Sequence, residues 1–345
     1  MAEPRVAGPV RIVGAGLLGA SIGLVLRRNG VDVSLVDSSP TAVALATQYG
    51  AGRPAEQGDA PALIVVAVPP DVVADVVARE LAEFPDAIVT DVASVKGAIL
   101  ENLVTRGIDL SRYVGSHPMA GRERGGAVSA RADIFTGRSW VVCPRADANA
   151  AAVTAVENLA IDCGANLVEL STDDHDSAVA LVSHVPQIVS SAVASSLIGV
   201  PDSSVELAGG GLRDVTRIAS SDPNLWVQIL SANAGDISDV LEGVRDRLDE
   251  VLVELQRPGD RQRFRVVPGV HGQAFPDGQP GLGRRLLQHH PDPGPPGRPR
   301  ARLHRSRATW RLRRAQGLAL LDLRAQHAPK RRRLDGPRHE RRSHG

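Results

Sequence analysis

The chain has 345 residues, of which 43% are hydrophobic and 3% aromatic, and a formal net charge of +1. That length accommodates two domains, and with so few aromatic rings their cores must be built from Val, Ala, Leu and Ile. The near-neutral total hides a polarity: residues 257–345 carry 22 of the 40 Lys and Arg but 6 of the 39 acids, a net of +16, which leaves −15 for residues 1–256. The two portions are therefore different material. Two cysteines, Cys143 and Cys163, without a CxxC spacing argue against a disulfide framework and suggest no zinc or other metal site. A reduced, cytoplasmic setting follows as the expectation. The chain opens without a basic flank and apolar core of an export signal, and no unbroken run approaches about 18 apolar residues, so a soluble protein with no membrane partner is expected.

Residues 9–14 form a short apolar run that ends in Gly14-Ala15-Gly16-Leu17-Leu18-Gly19, followed by a helical pattern from Ala20 to Arg28 and a period-2 strand from Val31 to Asp37. Strand, GxGxxG, helix, strand and terminal acid is the order a dinucleotide site requires. Gly14 makes the tight turn, Gly16 lets a pyrophosphate approach the backbone, Gly19 lets helix pack on strand, and the helix start at Leu17 and Leu18 faces the phosphates. Asp37 can accept bonds from an adenosine ribose hydroxyl and would repel a 2′-phosphate. No Arg stands in the following Ser38-Ser39-Pro40, so NAD is favoured over NADP.

The alternation continues with a fully apolar strand, Ala62 to Val68, broken by Pro69-Pro70, where a helix over 71–82 begins; Val68 and Pro69 fall at the sheet edge beside the cofactor crevice. Residues 87–92 form the next strand, and Ala93-Ser94-Val95-Lys96-Gly97 opens another helix. Ser94 there is either an N-cap or, from its sheet edge, a group reaching the nicotinamide end of the cofactor. Lys96, the sole lysine before residue 257, sits at a helix start where a cation is disfavoured and so needs another reason to be there.

Only three histidines precede residue 257: His117, His175 and His184. The first lies in Gly115-Ser116-His117-Pro118-Met119-Ala120-Gly121, which reads as a glycine-bounded turn that aims one imidazole. Arg122 to Arg138 is a Gly- and Arg-rich loop, either a lid or anion contact or a solvated connection. Strand 139–143, helix 151–163 and strand 166–170 then complete the α/β part near residue 171.

From Ser171 the period changes to 3.6, with a long small-residue helix from Ala178 to Ile198 that Pro186 should kink, and helix again over 224–256. Such a helix suits close packing against a second helix, and a homodimer is expected. His184 follows in Ser183-His184-Val185-Pro186, either buried against a carbonyl or a ligand contact. His175, between Asp174 and Asp176, reads as structural or interdomain. Gly209-Gly210-Gly211 beside Arg213 and Arg217 makes a backbone-lined cationic place for carboxylates, or else an Arg–Asp helix surface.

The glycine loop with Asp37, Asp91 to Lys96, Ser116 to Gly121, Ser183 to Pro186, and Gly209 to Pro223 with Trp226, in this order and spacing, resemble the prephenate/arogenate dehydrogenase family of tyrosine biosynthesis over about residues 9–256. Gln187, where many members carry a second histidine, departs from the pattern.

The resemblance implies a Rossmann-type doubly wound parallel sheet over 8–171 that binds NAD, and an all-α substrate and dimerisation domain over 172–256. It implies oxidative decarboxylation of prephenate, with His117 and Ser94 on the substrate C4 hydroxyl and His184, Arg217 and Gly210 as substrate-binding residues. Arogenate is the alternative substrate. A β-hydroxyacid dehydrogenase of similar layout is the nearest enzyme rival, but that class relies on a lysine in its helical domain and 171–256 contains none. An NAD-sensing regulator is the non-enzyme rival.

The tail, 257–345, is rich in Arg, Pro, Gly and His and is expected to be disordered. Binding to nucleic acid or an acidic partner is the lesser expectation for it. The other reading is a frame-shifted remnant of the small ACT-type regulatory domain some family members carry, of which Val266-Val267-Pro268 resembles the first strand.

Overall fold

The computed structural model describes residues 3–121 and 125–256. The described residues all belong to one compact unit, which lies within Met1–Phe264. The basic tail over 257–345, and Arg122 at the head of the Gly- and Arg-rich loop, lie outside the described residues.

Alternation of strand and helix patterns produces one eight-stranded sheet. Its elements are β1 (Val10–Val13), α1 (Leu17–Arg28), β2 (Val33–Val36), α2 (Pro40–Gln48), β3 (Arg53–Pro54), β4 (Leu63–Val66), α3 (Pro70–Glu83), β5 (Ile88–Asp91), α4 (Gly97–Thr105), β6 (Tyr113–Pro118), β7 (Ser139–Cys143), α5 (Ala150–Asp162) and β8 (Asn166–Glu169). The strand order is β3-β2-β1-β4-β5-β6-β7-β8. The chain leaves β1 to one side and returns to the other at β4, so the reversal point of a doubly wound sheet falls between their carboxyl ends.

Strand pairing is parallel except for β6 with β7, which is antiparallel. A parallel return needs a crossover of a dozen or more residues, usually helical, and among the described residues the segment joining these strands holds only a short 3-10 turn, Ala127–Ser129. Period 2 divides the apolar side chains between two layers. Leu63 and Val65 of β4 join the core with α1 and α5, whereas Ile64 and Val66 join the core with α3 and α4.

Helices follow from residue 172: α6 (Thr172–Val179), a π-helical segment (Ala180–His184), α7 (Val185–Ser195), α8 (Asp202–Val205), α9 (Gly210–Thr216), a 3-10 turn (Arg217–Ser220), α10 (Pro223–Ala232) and α11 (Ala234–Gln256). Pro186 cannot donate to the turn before it, and the structure meets it with the widened π segment directly upstream. Asn233 separates α10 from α11, where one continuous helix was expected; its side chain instead donates to the carbonyl of Asp176 at 2.8 Å.

The stretch Thr172–Ser195 turns several polar side chains inward. His175, Asp176, His184 and Gln187 are buried, while Leu181 and Val182 are 61% and 60% exposed. By length and composition this stretch is apolar enough to cross a membrane, with a mean hydropathy of 1.4 and a third of that window buried. These polar side chains share the inward side with Val179, Ala180 and Val185. The apolar cluster within the helical part is correspondingly small, centred on Ala180, Val185 and Ile237.

Candidate functional site

The glycine loop sits at the reversal point of the sheet. Gly14 has φ of 107°, and a Cβ there would lie 2.3 Å from the carbonyl oxygen of Ala67, which follows β4. A Cβ on Gly19 would lie 1.9 Å from the carbonyl oxygen of Gly14, so the helix start can lie on the loop only without a side chain. A Cβ on Gly16 would meet nothing within 4 Å, and Gly16 caps α1 with no side-chain hydrogen bond. The helix therefore presents free backbone N–H groups and the positive end of its dipole to open space, the condition for holding a pyrophosphate.

Asp37, at the end of β2, accepts from Ala15 N at 2.7 Å and from Ser39 N at 2.8 Å, which fixes its carboxylate beside the loop. Leu17 and Leu18 are half-buried in the first turn of α1, and Val68 and Pro69 follow β4, with Pro69 as the N-cap of α3. These residues fit a dinucleotide.

At the end of β5 the two motif residues separate. Ser94 is half-buried on the connection to α4 and is not its cap, since α4 begins at Gly97 with Lys96 in the cap position. The capping acceptor comes from the helical part: Asp176 accepts from Lys96 N at 2.9 Å and from Gly97 N at 2.8 Å. The Lys96 side chain is 1% exposed and its Nζ pairs with Asp91, which also accepts from Tyr113 Oη at 2.7 Å and from Ala93 N at 2.9 Å. That buried pair is the reason for a lysine at a helix start. It also accounts for Gly115, where a Cβ would stand 3.2 Å from Lys96 Cδ.

His117 lies on strand β6 and not on a turn, which corrects the reading of its glycines. The strand is buried throughout, and His117 is 8% exposed. Its Nδ1 lies 2.9 Å from Nε2 of His175, whose Nδ1 lies 2.7 Å from Oδ1 of Asp176. Burial first, then the charges of His175, Lys96 and His184, pull the His117 pKa well below 6.5. Burial works to raise the Asp176 pKa, yet the hydrogen bonds from His175, Gly97 and Lys96 outweigh it and hold the carboxyl below its ordinary value.

His184, at the start of α7, is 1% exposed. Its Nδ1 lies 3.2 Å from Asn233 Nδ2, and its ring meets Trp226 edge-on at 6.0 Å. Burial lowers its pKa to about 4, and its Nε2 is buried without a hydrogen-bond partner among the described residues.

Arg217 opens the 3-10 turn strapped to α7, where Gln187 Nε2 donates to Ile218 O at 3.0 Å and Ser190 Oγ donates to Val215 O at 2.7 Å. Gln187 thus supports the arginine-bearing turn from the helix that His184 begins. Gly210 starts α9, and no close contact within the chain requires glycine there. A cleft of about 390 Å³ bordered by Glu101, Asp173, Asp176 and Asp236 has no cation in its lining and is the wrong charge for a diacid.

The structure therefore brings together His117, His175, Asp176, Lys96 and His184, of which His175 was read only as structural or interdomain and Asp176 only as its neighbour. A signal existed in their sequence, Asp174-His175-Asp176 being a histidine flanked by acids in a chain portion with three histidines.

A doubly wound sheet, a glycine loop at its reversal point and an acid at the end of β2 define a dinucleotide-binding α/β protein with a helical second part. The family model for the prephenate dehydrogenase nucleotide-binding domain matches residues 22–169, and that for the prephenate dehydrogenase dimerization domain matches residues 171–266. The chain is 37% identical to the Streptomyces niveus "Probable prephenate dehydrogenase NovF" over 78% of this chain and 72% of that one. It is 29% identical to the Bacillus subtilis prephenate dehydrogenase over 74% and 72%.

Among solved structures, the prephenate dehydrogenase of Aquifex aeolicus in complex with hydroxyphenyl propionate and NAD+ is 27% identical with a TM-score of 0.67, covering 73% of this chain and 93% of that one. The Synechocystis arogenate dehydrogenase is 28% identical with a TM-score of 0.60, covering 71% and 91%. The chain belongs to the prephenate dehydrogenase family.

Proposed function

We propose that this enzyme oxidises prephenate to 4-hydroxyphenylpyruvate, as a homodimer in the cytoplasm, with the cofactor held by residues 8–171 and the substrate closed in by residues 172–256. The observation that carries the reading is His117: a buried imidazole, pulled toward its neutral form, on the strand next to β5 and the Ser94 connection. A neutral imidazole accepts the proton of the C4 hydroxyl, and Ser94 shares that hydroxyl. His184, with its unpartnered buried Nε2, offers a polar contact to the substrate, and Arg217 binds a substrate carboxylate with Gly210 near it.

The cofactor is NAD. Gly14, Gly16 and Gly19 with Leu17 and Leu18 hold its pyrophosphate, Asp37 its ribose, and Val68, Pro69 and Ser94 flank its nicotinamide half. When bound, NAD+ supplies the acceptor for the hydride that leaves C4 as the ring carboxylate departs as CO2. The exposed apolar face around Leu181 and Val182 supports dimerisation through the helical part.

Arogenate, which bears an amino group where prephenate has a keto group, is the second reading, favoured by the likeness to the Synechocystis enzyme. Steady-state rates with both compounds, each with NAD+ and NADP+, decide it. The highest kcat/KM is expected for prephenate with NAD+. A preference for arogenate overturns the substrate, and no turnover of either overturns the function. Arg217→Ala is expected to leave a desolvated carboxylate without its guanidinium at a cost of about 2–4 kcal/mol, read as a KM raised about 30-fold or more with a much smaller change in kcat. An unchanged KM would remove Arg217 from the substrate site.

A further inference from the structure

His117 does not end in the protein as an isolated ring. Its Nδ1 is 2.9 Å from His175 Nε2, and His175 Nδ1 is 2.7 Å from Asp176 Oδ1. His175 is fully buried and Asp176 is 5% exposed, so water does not interrupt the chain. We propose that His175 and Asp176 are positioning residues that set the tautomer of His117 and draw the abstracted proton's charge away from the substrate along the path His117, His175, Asp176. The proposal rests on His117 being the base, as argued above.

The proton order follows from what each group can do. An ionised Asp176 only accepts, so His175 Nδ1 carries a hydrogen and donates it. In neutral His175 the other nitrogen, Nε2, is then an acceptor, and it takes the hydrogen of His117 Nδ1. His117 is left with its lone pair on Nε2, the ring nitrogen turned to neither partner. Without this order the opposite tautomer would place a hydrogen on Nε2, and the ring could not accept a proton there.

When the C4 hydroxyl gives its proton to His117 Nε2, the O–H bond breaks and an N–H bond forms. The Nδ1 hydrogen of His117 can pass to His175 Nε2 in the same event. No net proton is gained beyond the one abstracted, and the positive charge comes to rest on His175, against the Asp176 carboxylate. Asp176 is itself held by the backbone N–H groups of Lys96 and Gly97 at the start of α4, and Asn233 Nδ2 donates to its carbonyl. The same acid thus ties the helical part to the sheet and terminates the proton path.

The charged or titratable groups around His117 are His175 from α6, His184 from the π segment and Lys96 from the β5–α4 connection, and Lys96 is paired with Asp91. Lys96 disfavours charge on His117, and Asp176 favours it on the pair. The acid limb of the pH profile accordingly answers to both charges.

The test is kcat and KM for prephenate against pH in the full-length His175→Gln and Asp176→Asn variants, beside His117→Asn. Gln at 175 can still accept from His117 but cannot reach on to the carboxylate, and Asn at 176 keeps an acceptor but loses the charge. Both are expected to lower kcat about tenfold or more with KM within about twofold, and Asp176→Asn, which removes the charge that favours protonation, to move the acid limb of kcat to lower pH by about half a unit or more. A merely structural role would lower kcat and leave the limb in place, and that result overturns the relay, as does wild-type kcat in both.

If Asp176→Asn does not fold for want of the α4 cap, the 15N shifts of the wild-type His117 ring, assigned by their loss in His117→Asn, decide: hydrogen on Nδ1 upholds the proposal and hydrogen on Nε2 overturns it. Retained turnover in His117→Asn would defeat the base assignment itself. Lost turnover there with an unmoved limb in Asp176→Asn defeats the relay alone.

Discussion

Replacing His117 by Asn is expected to lower kcat about 10²- to 10⁴-fold while KM stays within about twofold of wild type. The amide can still donate and accept hydrogen bonds and fits a buried strand position between Ser116 and Pro118, so substrate binding and the register of β6 are kept. What is lost is the ability to take a proton. The wild-type ring suits that task because burial, ahead of the neighbouring charges, holds its pKa well below 6.5, leaving it neutral at pH 7. Activity should therefore persist as pH falls through 6.5 and fail only below it. The same depression has a stability consequence of definite sign. The unfolded chain binds this proton first, so acidification from about 6.5 toward the folded-state value costs stability, and the variant escapes that part of the loss. A pH series of kcat and KM, taken where circular dichroism shows both proteins folded, checks the expectation. A variant with kcat near wild type would end the assignment of His117 as the base.

Much of this site was legible in the residues because its local parts are spelled contiguously. Gly14 to Gly19 with Asp37 forms its loop from neighbours in sequence, and the steric demands at Gly14 and Gly19 are those that the spacing implied. Contacts between distant segments were another matter. Nothing in Asp174-His175-Asp176 says that His175 meets a ring 58 residues earlier, since acids flanking a histidine at a helix start also describe a solvated first turn. Lys96 announced itself as misplaced, but its partner Asp91 ends the preceding strand and meets it only because the connection folds back.

Other misses had weaker signals. α2 begins with Ser39 accepting from Ala42 N and with Pro40 in its first turn, a start signal that the reading passed over. β3 is two residues long and ends in Pro54, too short for any periodicity. The antiparallel β7 could have been expected from the missing crossover helix between Gly121 and Ser139.

Lys96→Met should be the most damaging change to stability outside the apolar core. The Lys96 and Asp91 side chains are 1% and 0% exposed, and removing the ammonium leaves a buried carboxylate whose remaining donors are Tyr113 Oη and Ala93 N. Breaking a buried pair from one side costs about 3–5 kcal/mol, a large part of the roughly 5–15 kcal/mol that holds a typical domain together. The loss comes from the orphaned charge and not from the attraction alone, so the double variant Lys96→Met with Asp91→Asn should recover about half of it or more. Urea unfolding of the wild type, the single variant and the double variant reads all three. A single variant within about 1 kcal/mol of wild type would mean that Asp91 finds a cation or water elsewhere. Where the single variant folds, a second sign is available. Lys96 is one of the charges that depress His117, so its removal should move the acid limb of kcat to higher pH, opposite to the shift expected on removing the Asp176 charge. Two buried charges on the same imidazole then answer with opposite signs, which a general loosening of the site could not produce.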